Sequence, residues 1–173
     1  MTAGSWRYAV TMTANDPPLP PGFTRESTIR IDRQGGIWHD GQPVTHPGLA
    51  EAFARWLDVD ADSGRYIVRN RVNWVYVAVD DAPLVVRSAA VDGERTWLSL
   101  SDGTREELDR RTLRLDEDDV PYCDVRGGIL PARFLPAAAY TLLDALGVHA
   151  GEVRRVPRGS GARQEFAAPR RPG

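Results

Sequence analysis

The sequence predicts an α+β protein: an antiparallel β meander with two related strand-turn-strand-helix motifs packed on it. Three observations point there. Residues 32–37 read D-R-Q-G-G-I, and residues 124–129 read D-V-R-G-G-I ninety-two positions later. A proline follows each string and opens an apolar-periodic segment, at Pro47 and Pro136. Between them, short apolar runs are punctuated by Asp- and Gly-containing turns, the signature of consecutive hairpins. A short ββα unit cannot bury its own apolar face, so two copies around a central meander would share one interior.

The elements follow in chain order. Trp6, Tyr8, Val10 and Met12 alternate and suit an edge strand. Pro17, Pro18, Pro20 and Pro21 then exclude helix and central strand, which leaves an extended linker. Ile29 and Ile31 alternate with Arg30 and Asp32 as in a half-buried strand. Gly35-Gly36 reverses the chain into Ile37-Trp38-His39, and Asp40-Gly41 turns it again. Thr45 is placed to cap a helix that Pro47 opens. Leu49, Phe53, Trp56 and Leu57 are expected to form its buried stripe.

The run "WVYVAV" is apolar on both faces and predicts a central strand covered on both sides. "LVVRSAAV" and "RTWLSL" flank Asp92-Gly93, a strong hairpin signal. "TREELDRRTLRL" is ambiguous between strand and helical turn, and "DEDDVP" reads as a solvated polar loop. "YCDVRGGILPARF" is strand, turn, strand. A second helix from Pro136 carries Ala139, Leu142, Leu143 and Leu146 on one side, with Gly147 as its stop. The expected organisation is thus an N-terminal edge strand and linker over 1–26, a first motif with central strands over 27–91, a second half with the repeated motif over 92–150, and a basic, flexible tail over 151–173.

Composition excludes several chemistries. All 22 basic residues are Arg, so Schiff-base lysines and P-loop lysines are ruled out. One Cys and three His cannot build the usual structural zinc sites. Cys123 has no internal disulfide partner, which fits a reducing cytoplasm. No apolar run approaches the ~20 residues of a membrane helix, and the N-terminus lacks the pattern of a secretory signal. Residues 152–173 hold six Arg against two Glu, whereas the rest holds sixteen Arg against twenty-two acids. A mildly acidic body argues against a dedicated nucleic-acid surface.

The stretches "IRIDRQGGIWHDGQPVTHPGLAEAFARWL", "GRYIV", "VDDAPL" and "YCDVRGGILPARFLPAAAYTLL" occur in an order that resembles the bacterial domain-of-unknown-function family 1285, over roughly residues 27–146. The resemblance implies an α+β fold with repeated structural motifs. It implies no established activity, and a role in signal transduction only as a suggestion. Two positions depart from the family pattern: members carry Lys near the loop that reads "RNRVNW" here, and Glu where Asp80 stands.

Candidate chemistry is sparse. His39 and His46 could share a metal with Asp40 as imidazole and carboxylate ligands, but no further firm ligand stands at a recognisable metal-site spacing. Asp80 and Asp81 could act as a general base or hold a hard cation, yet Asp before Pro83 is also ordinary turn chemistry. Residues 116–119 lack the alternation and glycine of a calcium loop. Cys123 reads as a small buried hydrophobe. Arg126 and Arg133 bracket the second hairpin and suit an anion clamp or ion pairs. Trp38, Trp56 and Trp74 serve either core packing or an aromatic groove.

The resulting expectation is a non-catalytic, cytoplasmic, bacterial ligand-binding or signalling module. It uses no cofactor and no metal. Its ligand site would lie between the motifs, near Trp38, His39, Asp80, Asp81 and Arg133. The partner would be a small molecule or a protein, with homodimerisation open and no membrane contact. The alternatives are a small hydrolase using Asp80 or Asp81 with His39, and a protein-interaction subunit.

Overall fold

The structure, a computed structural model, describes residues 19, 21–71, 73–146 and 153–157. The expected edge strand over Trp6–Met12, most of the proline linker, the Gly147 stop and most of the basic tail lie outside these residues.

The α+β class holds. The first half runs β1 (Arg30–Ile31), β2 (Ile37–His39), β3 (Gln42–Pro43), α1 (Pro47–Arg55), β4 (Leu57–Val59), β5 (Tyr66–Arg69), β6 (Trp74–Tyr76) and β7 (Ala78–Val79). The second half runs β8 (Leu84–Asp92), β9 (Arg95–Leu100), β10 (Arg105–Glu107), a 3-10 turn (Arg110–Thr112), β11 (Arg114–Leu115), β12 (Pro121–Val125), β13 (Leu130–Phe134), α2 (Pro136–Leu146) and β14 (Arg154–Arg155). Among the described residues the strands form three sheets, ordered β3-β2-β1-β7, β4-β5-β6 and β10-β9-β8-β13-β12-β11-β14. The meander is β8-β9-β10, antiparallel throughout. The second hairpin joins it through β13, which runs parallel to β8. The first hairpin instead pairs β1 parallel to β7.

One apolar interior serves both motifs. Ile31, Ile37, Ala54 and Leu57 from the first half share it with Leu84, Val86, Leu98 and Leu100 of the meander and with Leu130, Phe134, Ala138 and Leu142 of the second half. Fully burying a side chain of this size stabilises by roughly 1.5–3 kcal/mol. The shared interior is the physical reason the two motifs occur in one chain.

Several details differ from expectation. From α1, Ala50, Phe53 and Ala54 face the interior, joined by Leu57 at the start of β4, while Leu49 and Trp56 are exposed. The spacing is helical, but the small Ala50 and Ala54 take inward positions while Leu49 and Trp56 turn outward. The helix cap is His46 rather than Thr45: its Nδ1 accepts the Leu49 amide at 3.3 Å. "WVYVAV" is not a central strand. It breaks at Val77, whose amide still bonds Tyr66 of β5, while the next amide, Ala78, bonds Ile29. β6 therefore edges one sheet and β7 edges another. The ambiguous segment 104–115 is strand, 3-10 turn and strand in succession. In the acidic loop Asp116 is buried, its carboxylate accepting the amides of Asp118 and Val120, so the run is a structured turn. Finally, Arg154–Arg155, expected in a flexible tail, pair with β11, and Val153 packs on the interior.

Candidate functional site

The β1-β2 turn is built around one carboxylate. Asp32 accepts the amides of Gln34 and Gly36 at 2.9 and 2.7 Å through Oδ1, and the Trp38 indole at 2.8 Å through Oδ2. Gly35 sits at φ +78°, and a Cβ there would lie 2.8 Å from Cγ2 of Val85 on β8. The turn can therefore press against the meander only with glycine at that position. The Trp38 side chain is fixed by its bond to Asp32, and the Arg30 guanidinium lies over its ring at 5.1 Å. Arg30 in turn pairs with Asp80 at 2.5 Å.

Beside this turn, Asp81 is buried with a different set of partners. The Tyr122 hydroxyl donates to it at 2.9 Å to Oδ2, with Oδ1 at 3.1 Å. Arg133 Nε lies 3.0 Å from Oδ2. That N–H is not aimed along the contact and has no aligned acceptor, so this is an ion pair without a linear hydrogen bond. Tyr122 and Arg133 are cross-strand partners on β12 and β13, which brings both to one carboxylate. Burial first, and then the adjacent Asp81 charge, push the Tyr122 phenol well above its ordinary range. It remains a hydroxyl and donates. Arg133 also reaches across to the first motif, where its Nη1 donates to the Arg33 carbonyl at 3.3 Å. Its side chain stays 22% exposed, so the guanidinium is both a tie and a surface.

Four of the five expected site residues therefore fall into two neighbouring groups on one seam. Trp38 and Asp80 meet through Arg30, and Asp81 meets Arg133 directly. His39 is set apart at the exposed end of β2, with Nδ1 3.6 Å from Asp40. The hydrolase alternative required His39 to act with Asp80 or Asp81, but each of these three has a different partner. Among the described residues no group of three His, Cys, Asp or Glu side chains is disposed to hold a metal ion. Cys123 is fully buried, and burial pushes its thiol up to about 12, so it is not a nucleophile at neutral pH.

No family model matches the sequence, and no curated protein matches it. Solved structures do. A DUF1285 family protein from Silicibacter pomeroyi DSS-3 superposes with a TM-score of 0.60 at 25% identity, over 69% of this chain and 69% of that one. A DUF1285 family protein from Shewanella baltica OS155 gives 0.57 at 23% identity, over 70% of this chain and 94% of that one. The chain is DUF1285-like.

The DUF1285-like fold agrees with the order of sequence motifs that suggested it, and it brings no activity with it. It does place the motifs. "IRIDRQGGIWH" supplies Arg30, Asp32 and Trp38, "VDDAPL" supplies Asp80 and Asp81, and "YCDVRGGILPARF" supplies Tyr122 and Arg133. Sequence reasoning missed Asp32, Arg30 and Tyr122. Asp32 was the discoverable one: Asp two residues before the first residue of a turn-and-return pattern is a side-chain acceptor for the turn amides.

Proposed function

We propose that this chain is a non-catalytic bacterial module of the cytoplasm that binds a ligand at the seam of Trp38, Asp80, Asp81 and Arg133, with His39 at its edge, in sensing or signal transduction. The observation that carries the reading is Arg133. It bridges a buried carboxylate of the chain's middle and a backbone carbonyl of the first hairpin, and it keeps an exposed face. A ligand that draws on this guanidinium competes with a long hydrogen bond to Arg33, and so alters how the two motifs are tied. That is the chemistry of a reporter. Asp80 and Asp81 each sit against an arginine, an arrangement that suits charge recognition more than proton transfer. Among the described residues no helix is long and apolar enough to cross a membrane.

The test is a thermal-shift screen of metabolites and nucleotides on the wild type and on Arg133→Ala. A compound that binds the native state raises its melting temperature. We expect at least one compound to stabilise the wild type and to lose that effect in Arg133→Ala. A screen in which no compound stabilises the wild type overturns the small-molecule form of this reading and leaves a protein partner, including a second copy of the chain, as its occupant.

A further inference from the structure

A second site, separate from the seam, is carried by the β4-β5-β6 sheet, on the face to which Arg69 and the fully buried Ile67 both project. Arg69 and Trp74 are register partners on β5 and β6. Residues paired directly across antiparallel strands project to the same side. Arg25 joins them from the preceding segment. Its guanidinium lies 4.2 Å from the Trp74 ring centre, and its Nη1 donates to the Trp74 carbonyl at 3.0 Å and to the Asn73 side-chain oxygen. Arg71 is exposed in the β5-β6 turn, which is closed by the Asn70 amide on the Asn73 carbonyl at 2.9 Å. Three arginines thus lie at one end of this sheet.

Their charge is not answered by carboxylates. Elsewhere several arginines are paired, among them Arg30 with Asp80, Arg65 with Glu26, Arg114 with Asp124, Arg126 with Asp102 and Arg133 with Asp81, while exposed ones such as Arg87 and Arg105 stand singly along strands. Among the described residues Arg25, Arg69 and Arg71 have no such partner. Nε and Nη2 of Arg69 are moreover buried with no acceptor. The acids near this face are committed. Glu26 takes both oxygens to Arg65, Asp60 accepts from Ser63 and Tyr76, and Asp58 accepts its neighbouring amide at Val59. Buried donors without acceptors are costly, and in folded proteins they mark a place for an ion or water. Guanidinium forks match the oxygens of phosphate in geometry as well as charge.

We propose that this end of the sheet is an oxyanion site that takes a phosphate group, with Arg69 contributing from the sheet face and Arg25 and Arg71 from its rim. The site uses none of the seam residues, so it stands or falls independently of the seam.

The experiment is calorimetric titration of the full chain with inorganic pyrophosphate and with ADP at fixed ionic strength. The variants are Arg69→Met, Arg25→Ala and Arg71→Ala, with Arg87→Ala, an exposed arginine on β8, as control. Saturable binding is expected, weakened about tenfold or more by Arg69→Met and by Arg25→Ala, since each removes charged hydrogen bonds. Arg87→Ala should bind as the wild type does. Without ligand, Arg69→Met should melt at or above the wild-type temperature, because it removes unsatisfied buried donors. A lower melting temperature with unaltered binding would make Arg69 structural and overturn the assignment. ADP binding more tightly than pyrophosphate assigns a nucleotide, and equal affinity assigns free phosphate groups; either supports the site. No saturation by either anion, or equal affinity in the wild type and all three site variants, overturns it.

Discussion

The two glycine-turn motifs begin from nearly the same six letters and solve the turn differently. In the first, Asp32 folds its carboxylate into the turn and accepts two amides and an indole. In the second, the equivalent Asp124 points away and pairs with Arg114 at 2.9 Å. There the turn closes through its own backbone, with one outside carboxylate: Arg126, Gly127 and Gly128 all adopt positive φ, the amides of Gly128 and Ile129 share the Val125 carbonyl at 3.1 Å, and the Arg126 amide donates to Glu106 at 2.8 Å. The strands differ accordingly, two and three residues in the first hairpin against five and five in the second. What stands behind each turn decides the outcome. The first presses on Val85 and Ser101, whereas a Cβ at Gly127 or Gly128 would meet open space. A repeated string therefore specifies that the chain reverses, and its surroundings specify how.

The motifs are also joined asymmetrically. Arg126 occupies the place of Gln34 in the string, and its guanidinium donates to the Leu57 and Ala54 carbonyls at 2.7 and 2.8 Å, at the end of α1. It also pairs with Asp102 at 2.6 Å, whose side chain is 0% exposed. The second motif thus caps the helix of the first, and nothing equivalent runs back from Gln34.

The comparison can be broken most forcefully at that joint. Arg126→Ala should destabilise by about 3–5 kcal/mol in urea denaturation, because it leaves a buried carboxylate uncompensated. A loss under ~1 kcal/mol would mean that the motifs are held by apolar packing alone. The joint also has a pH signature. Burial pushes the Asp102 carboxyl up, but hydrogen bonds from Arg126 and Thr104 more than offset this and hold it below its ordinary 3.8. The stabilisation is present above that ordinary value and lost as pH falls through the lower folded one. Asp102→Asn should therefore flatten the acid limb of the stability profile, measured by denaturation at stepped pH.

The turns themselves provide the next contrast. Gly35→Ala combines left-handed strain with a contact against Val85, and should cost about 2–4 kcal/mol. Gly127→Ala carries only the strain, about 1–2 kcal/mol. Equal losses in thermal melts would show that the packing behind the first turn is slack. Smaller again, Asp32→Ala should cost about 2 kcal/mol through the turn amides that donate to it, and Asp124→Ala about 1 kcal/mol through a pair that is mostly buried but still reached by solvent. The smallest effect is expected from Asp80→Asn, at most ~1 kcal/mol, since its pair with Arg30 is solvent-exposed.

Much of this fold was legible in the sequence because it is written in short-range signals. Asp92-Gly93, the glycine pairs and the two prolines marked turns and helix starts within a residue or two. The break at Val77 was not legible: six alternating apolar residues describe a strand equally well whether one sheet or two receive it. The helical stripe was partly misread because alanines carry little signal: Phe53 and Leu57 pack inward as expected, but Ala50 and Ala54 do so in place of Leu49 and Trp56. Of the proposed site, Trp38, Asp80, Asp81 and Arg133 were nominated from residue type and position. Tyr122 was not, because its role depends on a register between β12 and β13 that no local pattern states.

The passage of the chain through Val77 has a mechanical corollary. One buried residue is all that joins the strand bearing Trp74 to the strand leading to Asp80 and Asp81. The two sheets are spliced there without slack: neither strand can lengthen by a second residue without taking it from the other.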